Sequence, residues 1–386
     1  MSTPPTIYDV AQRAGVSIST VSRVLQSSHR VSAHRRALVE AAVAELGYIP
    51  SAAARGLVAR HTGLIGLCFP EVDPFVEPDG GLDGGLDGEV GGAAGDPARD
   101  AGRDREVEVV RDEATASTAV WGNLYFGEVV RGAEHAAWRA GLAVTITVVR
   151  GADGASLVQD LAGRVDGLAV VSAALDDELL DHVAHRVPVV VMAGPDRSVD
   201  HDRIRVDNER GMAALVRHLV VDHGYTDVQY VGGLGWARDD QERFAGYRSA
   251  LRDAGLEAPE TPSLRGDFSR TATRELVRGL VAAHRRDGRP LPRALVCSND
   301  QMALGALDVL HDEGVDVPGQ VAVTGFDGVD ETRSSTPRLT TVQQPMTELG
   351  RIAVERLVAR IAAPTGAPTR VDVPVRVLLR GSCGTH

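Results

Sequence analysis

The rhythm of apolar and polar positions changes once along the chain. Up to about residue 49, apolar residues recur at steps of three and four, the helical period. Val10, Ala11 and Ala14 line one face of a short helix. Thr6 and Asp9 form its Thr-x-x-Asp start, with Thr6 as N-cap. Gly15 ends the helix in a left-handed turn, and Val16 plugs the angle that follows. Ser17 caps a second helix, predicted from about Ile18 to Gln26. Its Val21, Val24 and Leu25 face inward, leaving Ile18, Ser19, Ser22 and Arg23 outside. A third helix is predicted from Ser32 to Leu46, with Leu38, Val39, Ala42, Val43 and Leu46 as its buried stripe and Gly47 as its stop.

From Thr62 onward short apolar runs such as "GLIGLCF", "VPVVVM" and "VAVTGF" alternate with amphipathic stretches such as "ERGMAALVRHLVVDHG" and "RFAGYRSALRDAG". Alternation of this kind predicts parallel sheets with helices on both faces. The number of units predicts two doubly wound α/β lobes behind an all-α head. Ligands in such folds sit beyond the carboxyl ends of strands. The expected division is 1–49 for the head, 50–61 for a connector and 62–380 for the body.

One stretch fits neither rhythm. Residues 72–120 are rich in glycine and acid and cannot bury a core, which predicts a disordered or mobile insertion. Its "DGGLDGGLDGE" resembles calcium loops in composition but lacks their Asp-x-Asp-x-Asp-Gly spacing and closing glutamate. Charge follows the same map. The net charge of −12 argues against a polyanionic partner, yet residues 1–60 hold seven arginines against three acids. Residues 72–118 hold thirteen acids against four arginines. Local sign governs contact with a polyanion, so the basic head stays a nucleic-acid candidate. The chain has no lysine. No apolar run is long enough to span a bilayer, and the first residues show no signal-peptide pattern. Three scattered cysteines, Cys68, Cys297 and Cys383, fit a reducing cytoplasm better than a disulfide framework.

Two short helices joined at a glycine are the geometry of a helix-turn-helix, whose second helix enters the major groove. Arg23 can reach guanine O6 and N7, and Ile18 can meet a thymine methyl. The hydroxyls of Ser17, Thr20 and Ser22 suit phosphates or base edges. The same spacing also describes an ordinary three-helix bundle with a solvated polar face. Beyond it, Ala52 to Ala59 would make about two helical turns, too short to hold alone in water, and Gly56 weakens them by roughly 1 kcal/mol. By pattern alone this segment is equally a flexible linker.

"TIYDVAQRAGVSISTVSRVL", followed by "VSAHRRALVEAAVAELGYIPSAAARGL", resembles the head of the lactose-repressor family of bacterial transcription regulators. The resemblance implies that Ile18, Ser19 and Arg23 read bases. It implies that Tyr8, Ser17, Thr20, Ser22 and Arg30 contact the DNA backbone. It also implies that 50–61 is a hinge helix ordered on operator DNA, with Ala54 at the DNA and Leu57 wedged into the minor groove. "RIRVDNERGM", "RFAGYRSAL", "CSNDQMALGALDVL" and "VAVTGFDG" are similar to the family's effector domain, which is itself similar to periplasmic sugar-binding proteins. There the resemblance places Arg243, Asn299 and Asp327 at strand ends as effector ligands, with Tyr125 and Phe126 as ring contacts. Each also has a local reading, as a helix cap or a core aromatic.

Enzyme chemistry finds little support. "GGLGWARD" carries only part of a dinucleotide-binding glycine pattern. His182 and His185 lack a third metal ligand nearby in sequence, and no Gly-x-Ser-x-Gly elbow is present. The expectation is therefore a cytoplasmic, non-enzymatic regulator, a repressor without cofactor or metal. It would bind as a homodimer to a pseudo-palindromic double-stranded operator and take a sugar effector between two lobes. A sugar-binding module without regulation, or an α/β enzyme fused to a DNA-binding head, are the competing readings.

Overall fold

The structure is a computed structural model that describes residues 5–25, 31–48, 61–71, 124–149, 154–171, 175–193 and 201–385. Arg30, the proposed hinge with Ala54 and Leu57, and the acidic insertion lie outside the described residues.

The head consists of α1 (Ile7–Ala14), α2 (Ile18–Leu25) and α3 (Ala33–Leu46). At the start of α1 the Thr6 backbone N–H and hydroxyl both donate to Asp9 Oδ2, each at 2.7 Å. Gly15 ends the helix at φ +65°, where a residue with a Cβ is strained. Ser17 Oγ accepts from the Thr20 N–H at 3.3 Å and opens α2. A small core joins Val10, Ala11, Ala14, Val21, Val24, Val39, Ala42 and Tyr48. Leu38, placed by sequence in the buried stripe of α3, is instead 40% exposed. Val39, Ala42, Val43 and Leu46 already fill a stripe at the i, i+3, i+4, i+7 positions, and Leu38 lies outside it, about 40° of helical turn beyond the Ala42 edge.

The chain divides into two compact units, the first of which takes in the head, and each is built around a six-stranded sheet. The first sheet has the order β11-β5-β4-β3-β1-β2, from β1 (Leu64–Pro70), β2 (Ala143–Val149), β3 (Gly167–Val171), β4 (Val189–Met192), β5 (Asp202–Val206) and β11 (Arg370–Val373). Its pairings from β2 through β1, β3 and β4 to β5 are parallel. The helices α4 (Leu124–Arg139), α5 (Gly154–Ala162), α6 (Asp177–Ala184) and α11 (Met346–Ala362) belong with it, except that α4 gives its first turn to the second unit. Gly132 and Gly350 let α4 and α11 meet backbone to backbone, since a Cβ at either would overlap main-chain atoms of the other helix. Asp202 ties this unit together. It takes two parallel bonds from Arg360, at 2.9 and 2.8 Å, and two more from Thr369.

The second sheet has the order β12-β10-β9-β8-β6-β7, from β6 (Val228–Gly232), β7 (Leu264–Arg265), β8 (Ala294–Cys297), β9 (Ala322–Asp327), β10 (Thr340–Gln343) and β12 (Arg376–Leu378). All pairings are parallel except that of β10 with β12. Its helices are α7 (Asn208–Arg217), α8 (Arg238–Asp253), α9 (Arg270–Asp287) and α10 (Asp300–Asp312). Between α7 and α8 the contact is again main chain on main chain, because a Cβ on Gly246 would overlap the Glu209 carbonyl. Met212, Leu215, Tyr230, Phe244, Tyr247 and Phe326 fill the core between these helices and the sheet. Cys68 and Cys297 are buried in β1 and β8, and burial pushes the Cys68 thiol up to about 12. Both strands shield their sulfurs from reaction.

Candidate functional site

Two places carry chemistry that core packing does not explain. The first is the outer face of α2. Val21 and Val24 are buried, while Ile18 is 42% exposed and Ser19 and Arg23 are exposed beside it. Ser17 Oγ lies 2.9 Å from both Ser19 Oγ and Thr20 Oγ1, so the three hydroxyls cluster at the N-terminal end of the helix. Ser22 is half-buried. Tyr8, on α1, is 67% exposed. The face thus offers a guanidinium, an apolar branch and hydroxyls on a helix narrow enough for the major groove.

The second lies at the carboxyl ends of β8 and β9. Asp327 is the last residue of β9 and has φ +123°, a backbone angle that costs of order 1–3 kcal/mol outside glycine. Its surroundings hold it there. The next two residues, Gly328 and Val329, donate their N–H groups to Asp300 Oδ2 at 2.6 and 2.9 Å. Thr341 donates its hydroxyl to Asp300 Oδ1 at 2.6 Å. Gln344 bonds Asp327 twice, side chain to Oδ1 at 2.6 Å and main chain to the carbonyl at 3.1 Å.

Opposite Asp327 stands Arg243, which lies not at a strand end, as expected, but buried inside the helix α8. Its Nη1 is 3.5 Å from Asp327 Oδ1 and donates to the Ser298 carbonyl at 2.7 Å. Its Nε donates to Asn208 Oδ1 at 2.9 Å. The guanidinium carbon sits 3.9 Å above the Phe326 ring. Asn208 is oriented in turn by giving its amide to Asp239 at 2.8 Å and Glu242 at 3.1 Å. These bonds occupy Nε and Nη1 and leave Nη2 as Arg243's donor toward a ligand among the described residues. Asp327 keeps Oδ2 in the same way. Burial raises the Asp327 carboxyl to about 6, against the opposing pull of Arg243 and Gln344. Burial and the neighbouring Asp327 push Asp300 up as well.

Asn299 follows Ser298, so it stands one residue from the Arg243 contact. Its Oδ1 caps α10 by accepting the Met302 N–H at 3.0 Å, and its Nδ2 reaches the Phe268 carbonyl at 3.4 Å. The local reading of this residue is thus realised, and among the described residues one amide hydrogen remains for a ligand. Tyr125, in the first turn of α4, feels burial first and then the charges of Asp239 and Asp327, which together push its hydroxyl up. Phe126 packs edge-on against it, ring centres 5.6 Å apart. Sequence reasoning missed Asn208, Ser298, Phe268, Asp300 and Gln344. Only Asn208, inside "VDNERG", carried a visible cue as a polar residue opening a helix. "GGLGWARD" is a turn, in which Gly233 N–H donates to Asp240 at 2.8 Å.

Comparison with known proteins fits this geometry. Residues 6–51 match the family model described as bacterial regulatory proteins, lacI family, and residues 216–383 match a periplasmic binding protein-like domain. The ribose operon repressor of Escherichia coli strain K12 is 30% identical over 383 residues, spanning 98% of this chain and 99% of that protein. The solved Lac repressor dimer bound to operator and the anti-inducer ONPF is 26% identical, with a TM-score of 0.75 over 99% of this chain and 100% of that one. A solved complex of the transcriptional regulator CelR with cellobiose is also 26% identical, with a TM-score of 0.64 over 98% of this chain and 99% of that one. Among the described residues no helix is long and apolar enough to cross a membrane.

Proposed function

The chain belongs to the lacI family of bacterial regulatory proteins, a DNA-binding transcription regulator governed by a small-molecule effector, and from that premise we propose that it is a homodimeric repressor released or engaged by a sugar. Arg23 and Ile18 read bases in each half of a pseudo-palindromic operator, and the Ser17, Ser19, Thr20 and Ser22 hydroxyls and Tyr8 fix the helix on the duplex. Arg30, Ala54 and Leu57 complete the DNA contacts. Arg243 and Asp327 grip adjacent hydroxyls of the effector, one as donor and the other as acceptor. Asn299 adds an amide donor, and the Tyr125 and Phe126 rings cover a C–H face.

The observation that carries the effector reading is the buried Arg243–Asp327 pair. Buried charges are costly unless paired, and among the described residues each partner keeps one polar atom uncommitted, Asp327 from a strained strand end and Arg243 from α8. The chemistry is recognition without turnover. An effector that binds the two DNA-affinity states with a difference of about 1.4 kcal/mol shifts operator affinity tenfold.

The test is a mobility-shift titration of the full chain on DNA from its own upstream region, against bulk competitor, with and without D-ribose and cellobiose. A preferred site whose affinity one sugar changes at least tenfold supports the reading. Equal affinity for all duplexes would exclude specific repression, and turnover of a bound sugar would favour the enzyme alternative.

A further inference from the structure

After α7 the chain continues into a wider π-helical turn, His218–Asp222, in which the His223 N–H donates to the His218 carbonyl at 3.3 Å. On an ordinary α-helix, residues five apart point about 140° away from each other. The wider turn brings the two rings together, with their Nε2 atoms 3.1 Å apart. A third donor arrives from far along the sequence. Cys383, in the final short turn Gly381–Cys383, places its Sγ 4.0 Å from His218 Nε2. The three donor atoms all lie within 4.8 Å of one another.

The surroundings orient these atoms as a ligand set. Asp222 Oδ2 is 2.6 Å from His218 Nδ1. A carboxylate there keeps the proton on Nδ1 and turns the Nε2 lone pair outward, the usual support of a metal-bound imidazole. His223 stacks on Tyr225, ring centres 5.1 Å apart, and the Tyr225 hydroxyl donates to the Cys383 carbonyl at 2.9 Å. Gly384, at φ +131°, leaves room for the His223 ring, since a Cβ there would lie 2.6 Å from it. The Thr340 hydroxyl is 3.0 Å from Cys383 Sγ and can donate to a thiolate.

We propose that His218, His223 and Cys383 form a binding site for a zinc-class divalent ion. Two imidazole nitrogens and one thiolate are a donor set that zinc favours, with a fourth position for water. With tetrahedral bonds of about 2.0–2.3 Å, paired donors stand roughly 3.3–3.6 Å apart, so the sulfur closes on His218 Nε2 from its 4.0 Å on binding. Binding releases the Cys383 thiol proton to solvent, and no electron changes hands. The ion would pin the C-terminal segment to the end of α7, the helix whose first residue, Asn208, holds Arg243. This site stands independently of the sugar and DNA reading.

The test uses the full chain, stripped by chelator and titrated with Co(II), then with Zn(II). One equivalent of Co(II) should bind with a thiolate-to-metal charge-transfer band, and Zn(II) should displace it. Cys383→Ser should abolish that band. Asp222→Asn should keep it while weakening the ion's affinity about 10- to 100-fold. Absence of saturable Co(II) binding by the parent chain would overturn the site. So would a charge-transfer band that survives in Cys383→Ser, because Cys68 or Cys297 would then be the ligand. Far-UV circular dichroism of each variant checks folding; if Cys383→Ser fails to fold, Asp222→Asn decides, and a Co(II) affinity equal to the parent's would overturn the site.

Discussion

Arg243 Nη1 and Asp327 Oδ1 lie 3.5 Å apart with both side chains almost wholly withdrawn from solvent. Asp327→Asn keeps the shape and an oxygen for Gln344 but removes the negative charge. Hydrogen bonds to charged groups contribute about 1.5–3 kcal/mol, so the effector should bind roughly 10- to 100-fold more weakly. Operator affinity without effector should stay within about twofold of the parent. Calorimetric titration with whichever of D-ribose and cellobiose the parent binds measures the first, and a mobility shift the second. An unchanged sugar affinity would remove Asp327 from the site.

The same carboxyl predicts a pH dependence. Its native value of about 6 lies above the ordinary value of 3.8. The native state therefore holds the proton more tightly than the unfolded chain. The resulting stabilisation is fully present below about pH 3.8 and is lost as pH rises through about 6. At about 1.4 kcal/mol per unit the total is of order 3 kcal/mol. Denaturant melts of the parent and Asp327→Asn, compared from pH 4 to 7, should show the parent losing stability relative to the variant as pH rises. Sugar affinity should fall below pH 6 in the parent alone, as the carboxylate acceptor is protonated.

In the head, Arg23→Ala should cost about 1–3 kcal/mol on the preferred site and little on random duplex. Competition binding at fixed salt measures both. An equal loss on the two would make Arg23 a phosphate contact instead of a base reader.

Gly15→Ala isolates a backbone effect. No atom lies within 4 Å of the added Cβ, so only the left-handed angle of +65° opposes it. That costs about 1–2 kcal/mol. Amide exchange in α1 and α2 should accelerate roughly 5- to 30-fold, with protection in the sheets unchanged.

Periodicity and turn chemistry made the head readable, because Thr6, Gly15, Ser17 and Gly47 act on neighbours within a few residues. The strand–helix alternation likewise announced the two parallel sheets. Arg243 and Asp327 were reached through resemblance, and the structure shows why composition could not find them. Asp327's angle depends on Asp300 and Thr341, and Arg243's direction on Asn208, 35 residues away. Leu38 went astray because apolar character extends one residue past the stripe that α3 buries. The cluster of His218, His223 and Cys383 escaped because a π turn sets an unusual spacing and the sulfur lies 165 residues beyond His218.

The seam at Gly246 reaches further than local packing. Because main chain rests on main chain there, the distance between α7 and α8 admits no adjustment by rotamer. Asn208 and Arg243, one on each helix, inherit that fixed separation. On the proposed effector reading, ligand preference is to be redesigned by exchanging Tyr125 and Phe126, whereas any side chain introduced at 246 would misalign Arg243 before it altered selectivity.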